Sequence, residues 1–445
     1  MMIGDRPRFI FDWEPAPGVR APELRSTWAR LEIWVGDECV TQVEDNDSRS
    51  VRRSIYVPLY PLAEWIAYNW WFLKAHSRPA SLGRELWSSG SSKPRQTGLS
   101  RVVEHHNFRA AGDGFLWPNL TIVPEGRYAR LVWNPDASAT PERPIKYIRR
   151  GEAWTESAPL ELSLARFVDD VTTRLTEQGI TETALQKEWG ELRRTDVEEA
   201  AFCIAAARLG LDPYSDALEI QGSIEQAAAV LPESLVDDFF DAVTPQKLTL
   251  GIEWVTSSAH TIRDQAPDGT SSAELRAAVG QPDQAPRARP WDLGYQQAGR
   301  VRGLLGLGAQ ERFEVSELLS VVASDSQDIG LQALGGTSQG NSNVLVLGRP
   351  MIPQTRRFAE ARALWHFLFA QRPGAFLLTP AHTDRQRVER AFAAELLAPA
   401  AGILDRLDLG ELGFALDDVE AIAAHFEVSS MVVLHQIDNQ ILASP

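Results

Sequence analysis

Charge and tryptophan are spread so unevenly along these 445 residues that a single homogeneous fold is ruled out as the simplest expectation. Ten of the 14 tryptophans lie at or before Trp154, in a stretch with 21 bases and 18 acids. Residues 155–250 carry 7 bases against 19 acids, residues 251–400 hold 15 of each, and residues 401–445 have one base and eight acids. At ~150 residues per domain, a chain of this length predicts two or three folded units. The expectation is an α+β, multidomain protein. Its parts are a Trp-rich mixed α/β unit over 1–154, an acidic helical region over 155–265, a linker or loop over 266–290, and a last unit over 291–445.

The charge balance also limits partners. A net charge of -16 disfavours nucleic acid, whose phosphates need a basic surface. Cys39 and Cys203 are too few for a disulfide framework. No apolar run approaches the ~18 residues of a membrane span, and Met1 to Arg6 lacks the basic-then-apolar pattern of a signal peptide. A cytoplasmic protein with no membrane partner is expected, and the oligomeric state is left open.

In the first stretch, Leu31, Ile33 and Val35 alternate with Arg30, Glu32 and Trp34, the period of a half-buried strand. Gly36-Asp37 reads as a turn, with Val40 to Val43 as the returning strand. Leu120–Val123 and Tyr128–Trp133 flank a Pro124-Glu-Gly126 turn and predict a second hairpin. Leu59 to Lys74 predicts one strongly apolar helix. Its aromatic residues Trp65, Tyr68, Trp70, Trp71 and Phe72 belong in a core, because a helix apolar on most sides is normally buried. The alternative is a platform that binds a ligand or nucleic acid together with the basic stretch Arg78 to Arg101. Ser77 to Gln96, rich in Ser, Gly, Pro and Arg, reads as a loop.

From Pro159 to Val243 the pattern is helical. Phe167, Val171 and Leu175 recur every four residues, and Gly210-Leu-Asp-Pro213 reads as a helix stop. Ala266 to Pro290 has a linker's composition.

The last stretch carries the most specific patterns. Leu293 to Gly306 fits a helix ending at glycine, and Asn343–Leu347 fits a buried strand. Three motifs follow: Arg356-Arg-Phe-Ala-Glu-Ala-Arg-Ala-Leu-Trp-His366, then Phe392-Ala-Ala-Glu-Leu-Leu397 with Pro399, then a segment ending Phe426-Glu-Val-Ser429. In this order they resemble the ImmA/IrrE family of zinc-peptidase-like proteins, over residues 290–445. The resemblance implies a zincin-like unit with a small sheet. In that family one helix bears H-E-x-x-H and a second helix adds a glutamate ligand. Relatives act in stress responses and mobile-element control by cleaving repressors.

Histidines four apart share a helix face and can hold one metal, with the intervening glutamate activating its water. Here Arg362 stands at the first histidine and Ala363 at the glutamate, while His366 matches the second histidine. A guanidinium is protonated at working pH and cannot ligate a metal. The family's ligand on the second helix falls near Gln386, and the nearest carboxylate is Glu389. One reading has Arg362 in the metal's place, paired to Glu389 or Glu395. The other has Arg362 extended to solvent and Glu389 on the surface. His366 is weighed in the same way, as a hydrogen-bonded structural residue or as a ligand.

No cofactor is expected. Zinc held by His366 and Glu389 is the alternative. Asp417 to Asn439 could be drawn as helix-turn-helix, but its second helix lacks Arg and Lys, so a packing helix is preferred. Gly303–Gly308 and Gly335–Gly340 lack the lysine of a phosphate loop. The leading expectation is a degenerate pseudo-peptidase that binds a protein or peptide and acts in sensing or regulation. The runner-up is an active zinc endopeptidase.

Overall fold

The computed structural model describes residues 6–46, 48–76, 104–136, 144–266, 272–280, 289, 291–323, 329–370, 374–407 and 414–442. The expected loop Ser77 to Gln96, the basic stretch Arg78 to Arg101 and most of the expected linker lie outside these residues. The fold has mixed α/β content, with about 51% helix and small sheets. Among the described residues no helix is long and apolar enough to cross a membrane. The chain divides into two compact units, Met1–Leu218 and Glu219–Pro445. The acidic stretch 155–265 is therefore shared between them rather than forming a unit of its own.

In the first unit, β1 (Pro7–Trp13) pairs antiparallel with β2 (Trp28–Val35), Phe9 opposite Ile33 and Phe11 opposite Leu31. Ala29, Leu31, Ile33 and Val35 on β2 are fully buried, which is what period-two alternation delivers on one sheet face. The return strand lies earlier than the expected Val40 to Val43 and is shorter: β3 (Glu38–Cys39) pairs with β2, and the chain then leaves that sheet. Thr41 explains the exit, since its hydroxyl accepts from Ile33 N at 3.0 Å and donates to Arg53 O at 2.8 Å. β4 (Val43–Asp45) instead joins β5 (Val51–Arg52) and β9 (Ile145–Tyr147), and β6 (Ile55–Pro58) completes the first sheet against β2. The second hairpin is β7 (Asn119–Glu125) and β8 (Tyr128–Asn134), extended by β10 (Gly151–Glu156). Gly126 takes a φ of 77° at its turn, a left-handed conformation that suits glycine.

The apolar segment 59–74 forms two helices, α1 (Tyr60–Tyr68) and α2 (Trp70–Ala75). Asn69 separates them: its side-chain Nδ2 donates to Trp65 O at 2.8 Å, alongside its own backbone N–H at 3.0 Å. Such local side-chain bonding competes with helix propagation. Trp65, Trp71 and Phe72 are buried and Trp70 packs edge-on against Trp189, while Tyr68 is exposed. Three further helices follow, α3 (Ser157–Glu177), α4 (Ala184–Leu192) and α5 (Val197–Arg208). Phe167, Val171 and Leu175 on α3 face the core, and Gly210 ends α5 with a φ of 73°.

The second unit begins with α6 (Gln221–Val230), α7 (Glu233–Phe240) and α8 (Leu248–Asp264). α9 (Ala273–Val279) lies within the expected linker and buries Val279. α10 (Asp292–Leu304) is followed by a four-stranded sheet of β11 (Ser320–Val322), β12 (Ala333–Thr337), β13 (Asn343–Leu347) and β14 (Phe376–Leu378). Its order is β11-β13-β12-β14, parallel only between β11 and β13. α11 (Pro353–Phe369) leaves the sheet after β13, and α12 (Asp384–Leu397) follows β14. Gly294 on α10 lets that helix lie against α12, because a Cβ there would sit 2.2 Å from Val388 O. α13 (Ala400–Leu404), α14 (Leu416–Phe426) and α15 (Ser430–Gln436) close the unit, with Phe426, Val433 and Ile437 fully buried.

Candidate functional site

Arg362 and His366 lie one turn apart on α11, so both project from one face. Gln386 and Glu389 are three apart on α12 and share a face of that helix. The two faces meet. All four side chains are buried, Gln386 and Glu389 completely. Arg362 Nε donates to Glu389 Oε1 at 2.8 Å, and Nη2 reaches the same oxygen. Nη2 also donates to Gln386 Oε1 at 2.6 Å and Thr379 O at 3.0 Å, and Nη1 donates to Gln332 Oε1. His366 donates through Nε2 to the other carboxylate oxygen, Oε2. A carboxylate only accepts, which fixes the proton on that nitrogen. The imidazole stacks on Phe376 at 4.0 Å between ring centres, the two rings nearly parallel.

A second layer holds the first. Gln386 Oε1 also accepts from Thr379 N at 3.2 Å, and its Nε2 donates to Leu377 O at 3.2 Å. Arg390 donates to Thr379 O at 2.8 Å. Asp238 on α7, buried, pairs with Arg385 and accepts from Gln386 at 3.5 Å. Burial alone would push the Glu389 carboxyl up, but the Arg362 guanidinium, then His366 and Arg390, outweigh it and bring it down to about 2. Arg390 is lowered as well, to about 9, by burial and then by Arg362.

Arg362, His366 and Glu389 are thus one cluster, while Glu395 is elsewhere. Its Oε2 accepts from Ala400 N at 3.1 Å and from Gln436 and Gln440 at 2.7 Å each, so it caps α13 and ties it to the terminal helix. Ala363 is fully buried among apolar side chains. Arg357 donates to Phe426 O and Phe313 O, both at 2.7 Å, which pins the start of α11 to the end of α14. Gln332, Thr379, Asp238, Arg385 and Arg390 are cluster members that sequence reading missed. No spacing marks them, since they come from loop ends, a different helix and neighbouring turns.

The donor set does not suit zinc. Zinc takes imidazole, thiolate or carboxylate lone pairs, usually three from protein. Here a single imidazole and a single carboxylate bond to each other, and the carboxylate's second oxygen holds a guanidinium. Among the described residues no group of three or more His, Cys, Asp and Glu side chains is gathered. What the arrangement does chemically is bind a fixed positive charge in a buried pocket and lock a histidine's orientation. No family model matches the chain, and no characterised protein matches it.

Proposed function

We propose that the second unit is a catalytically silent, ImmA/IrrE-like pseudo-peptidase and that the protein works by binding a protein or peptide in sensing or regulation. The observation that supports this is the seat of Arg362. Its guanidinium lies between Glu389, Gln386, Gln332 and the Thr379 carbonyl, where a peptidase of that type needs a metal and a water. Ala363 provides no general base beside it. A stress-response or defence role follows only from the resemblance of the three motifs.

Metal analysis of the purified protein, with peptidase assays on candidate repressors in the presence and absence of a chelator, tests the reading. Less than a tenth of an equivalent of zinc and no chelator-sensitive cleavage are expected. One tightly held equivalent, with cleavage lost on His366→Ala, overturns it. The paired change Arg362→His/Ala363→Glu tests the ancestry separately. It places two imidazoles four apart facing Glu389, and uptake of zinc by that variant is the expected result.

A further inference from the structure

A separate cluster in the first unit stands outside the reading above. His76, at the carboxyl end of α2, and His106, shortly ahead of a helical turn at Phe108–Ala111, face each other with Nδ1 of the first 2.8 Å from Nε2 of the second. His106 Nδ1 is 2.8 Å from Ile122 O on β7. A carbonyl only accepts, so His106 carries its proton on Nδ1. Its Nε2 is then bare and accepts from His76 Nδ1–H. While both rings are neutral the pair therefore has one direction, from His76 through His106 to β7. One added proton still leaves a hydrogen bond between the rings, because a neutral His76 can carry its own proton on Nε2 and accept through Nδ1, but a second added proton sets two N–H groups head to head.

His106 is fully buried and His76 is 8% exposed. His76 packs edge-on against Phe72, whose other neighbour, His105, stacks at 4.0 Å and bonds to Asn69 Oδ1 at 2.6 Å. On the far side, a Cβ at Gly210 would lie 3.2 Å from His76 Nε2, so the turn after α5 closes over that nitrogen. Among the described residues, ionisable groups on the surrounding elements are Lys74 on α2 itself, Glu104, His105 and His106 together, Glu125 on β7, Glu198, Glu199, Cys203 and Arg208 on α5, and Asp212 and Tyr214 after it. Lys74 is paired with Glu161 at 2.9 Å. Of these groups only His105 acts appreciably on the charge of His76, and it opposes it, after the larger effect of burial. His106 is likewise held neutral by burial, and then by His76.

We propose that the His76–His106 pair is an acid-released clasp, which holds the end of α2 to β7 while at most one imidazole is charged and lets go when acid charges both. The sign follows from linkage. Both groups bind protons less readily folded than unfolded, with His76 brought down to about 4. The clasp's contribution is therefore whole above the ordinary histidine value of about 6.5 and is lost as pH falls from there towards 4.

Ring nitrogen NMR on the full-length chain, with hydrogen exchange alongside, tests this between pH 7.5 and 4. Of the eight histidines, two are expected to stay neutral below pH 5, both protonated on Nδ1, and to carry charge on both rings only as amides of 70–76 and 119–123 lose protection. Either ring titrating near 6.5 with protection unchanged overturns the proposal. His106→Gln gives a second reading, since an amide can accept from His76 and donate to Ile122 O without taking a proton. The acid midpoint for exposure of 70–76 is expected to fall by about half a pH unit or more, as one titrating site is removed. An unchanged midpoint sinks the idea, and if that variant does not fold, the NMR of the natural chain decides alone.

Discussion

Arg362 is held by four acceptors from three parts of the chain, and the Glu389 carboxylate is one of them. Removing one member of such a buried pair leaves the other charge in a dry site. Arg362→Ala should therefore cost about 3–5 kcal/mol, read from the urea midpoint of the second unit. Removing both charges is a smaller injury: Arg362→Met/Glu389→Gln keeps volume, and glutamine still accepts from His366. That double variant should recover at least half of the loss. A double variant as damaged as the single one would mean that packing, and not charge, holds the site.

Gly294 decides how near α10 comes to α12, and α12 is the helix that presents Glu389 and Gln386. Gly294→Ala places a methyl against the Val388 carbonyl and the Phe392 backbone, and should cost about 1–3 kcal/mol by overpacking, seen as a lowered thermal midpoint. Loss of the α11–α12 cluster, visible as solvent exchange at His366, should accompany it. The elements themselves were largely readable. The alternation around Leu31 and the four-residue spacing of Phe167, Val171 and Leu175 each report a buried face directly, whereas the second hairpin was legible but its turn falls on Gly126-Arg127, with Pro124 and Glu125 still in β7. The break at Asn69 was not readable, because it depends on one amide choosing a backbone carbonyl, and the exit at Thr41 depends on a hydroxyl bridging two distant strands. At the site, α11 and α12 supplied residues that a motif could flag. Gln332 and Asp238 reach it only through tertiary approach, 30 and 148 residues from the partners they bond.

Across the whole molecule, the boundary near Leu218 divides the acidic helices between two cores, which composition could not show, since α5 and α6 are similar in character. Each unit has its own buried titrating group, and the two respond to acid in different ranges. Histidines lowered by burial weaken the first unit below about pH 6.5. Glu389, held down at about 2, gives a contribution that is intact above the ordinary carboxylate range and disappears as pH falls towards that value. Hydrogen exchange during an acid titration should thus show 1–218 opening at higher pH than 219–445. The reverse order would contradict the assignment of both groups. The tie between α11 and α12 has one more consequence. Its positive charge is synthesised with the polypeptide, in fixed one-to-one proportion, and needs no loading step after translation. A cell deprived of trace elements cannot strip it out, and no exchange with the surrounding ion pool can report through it.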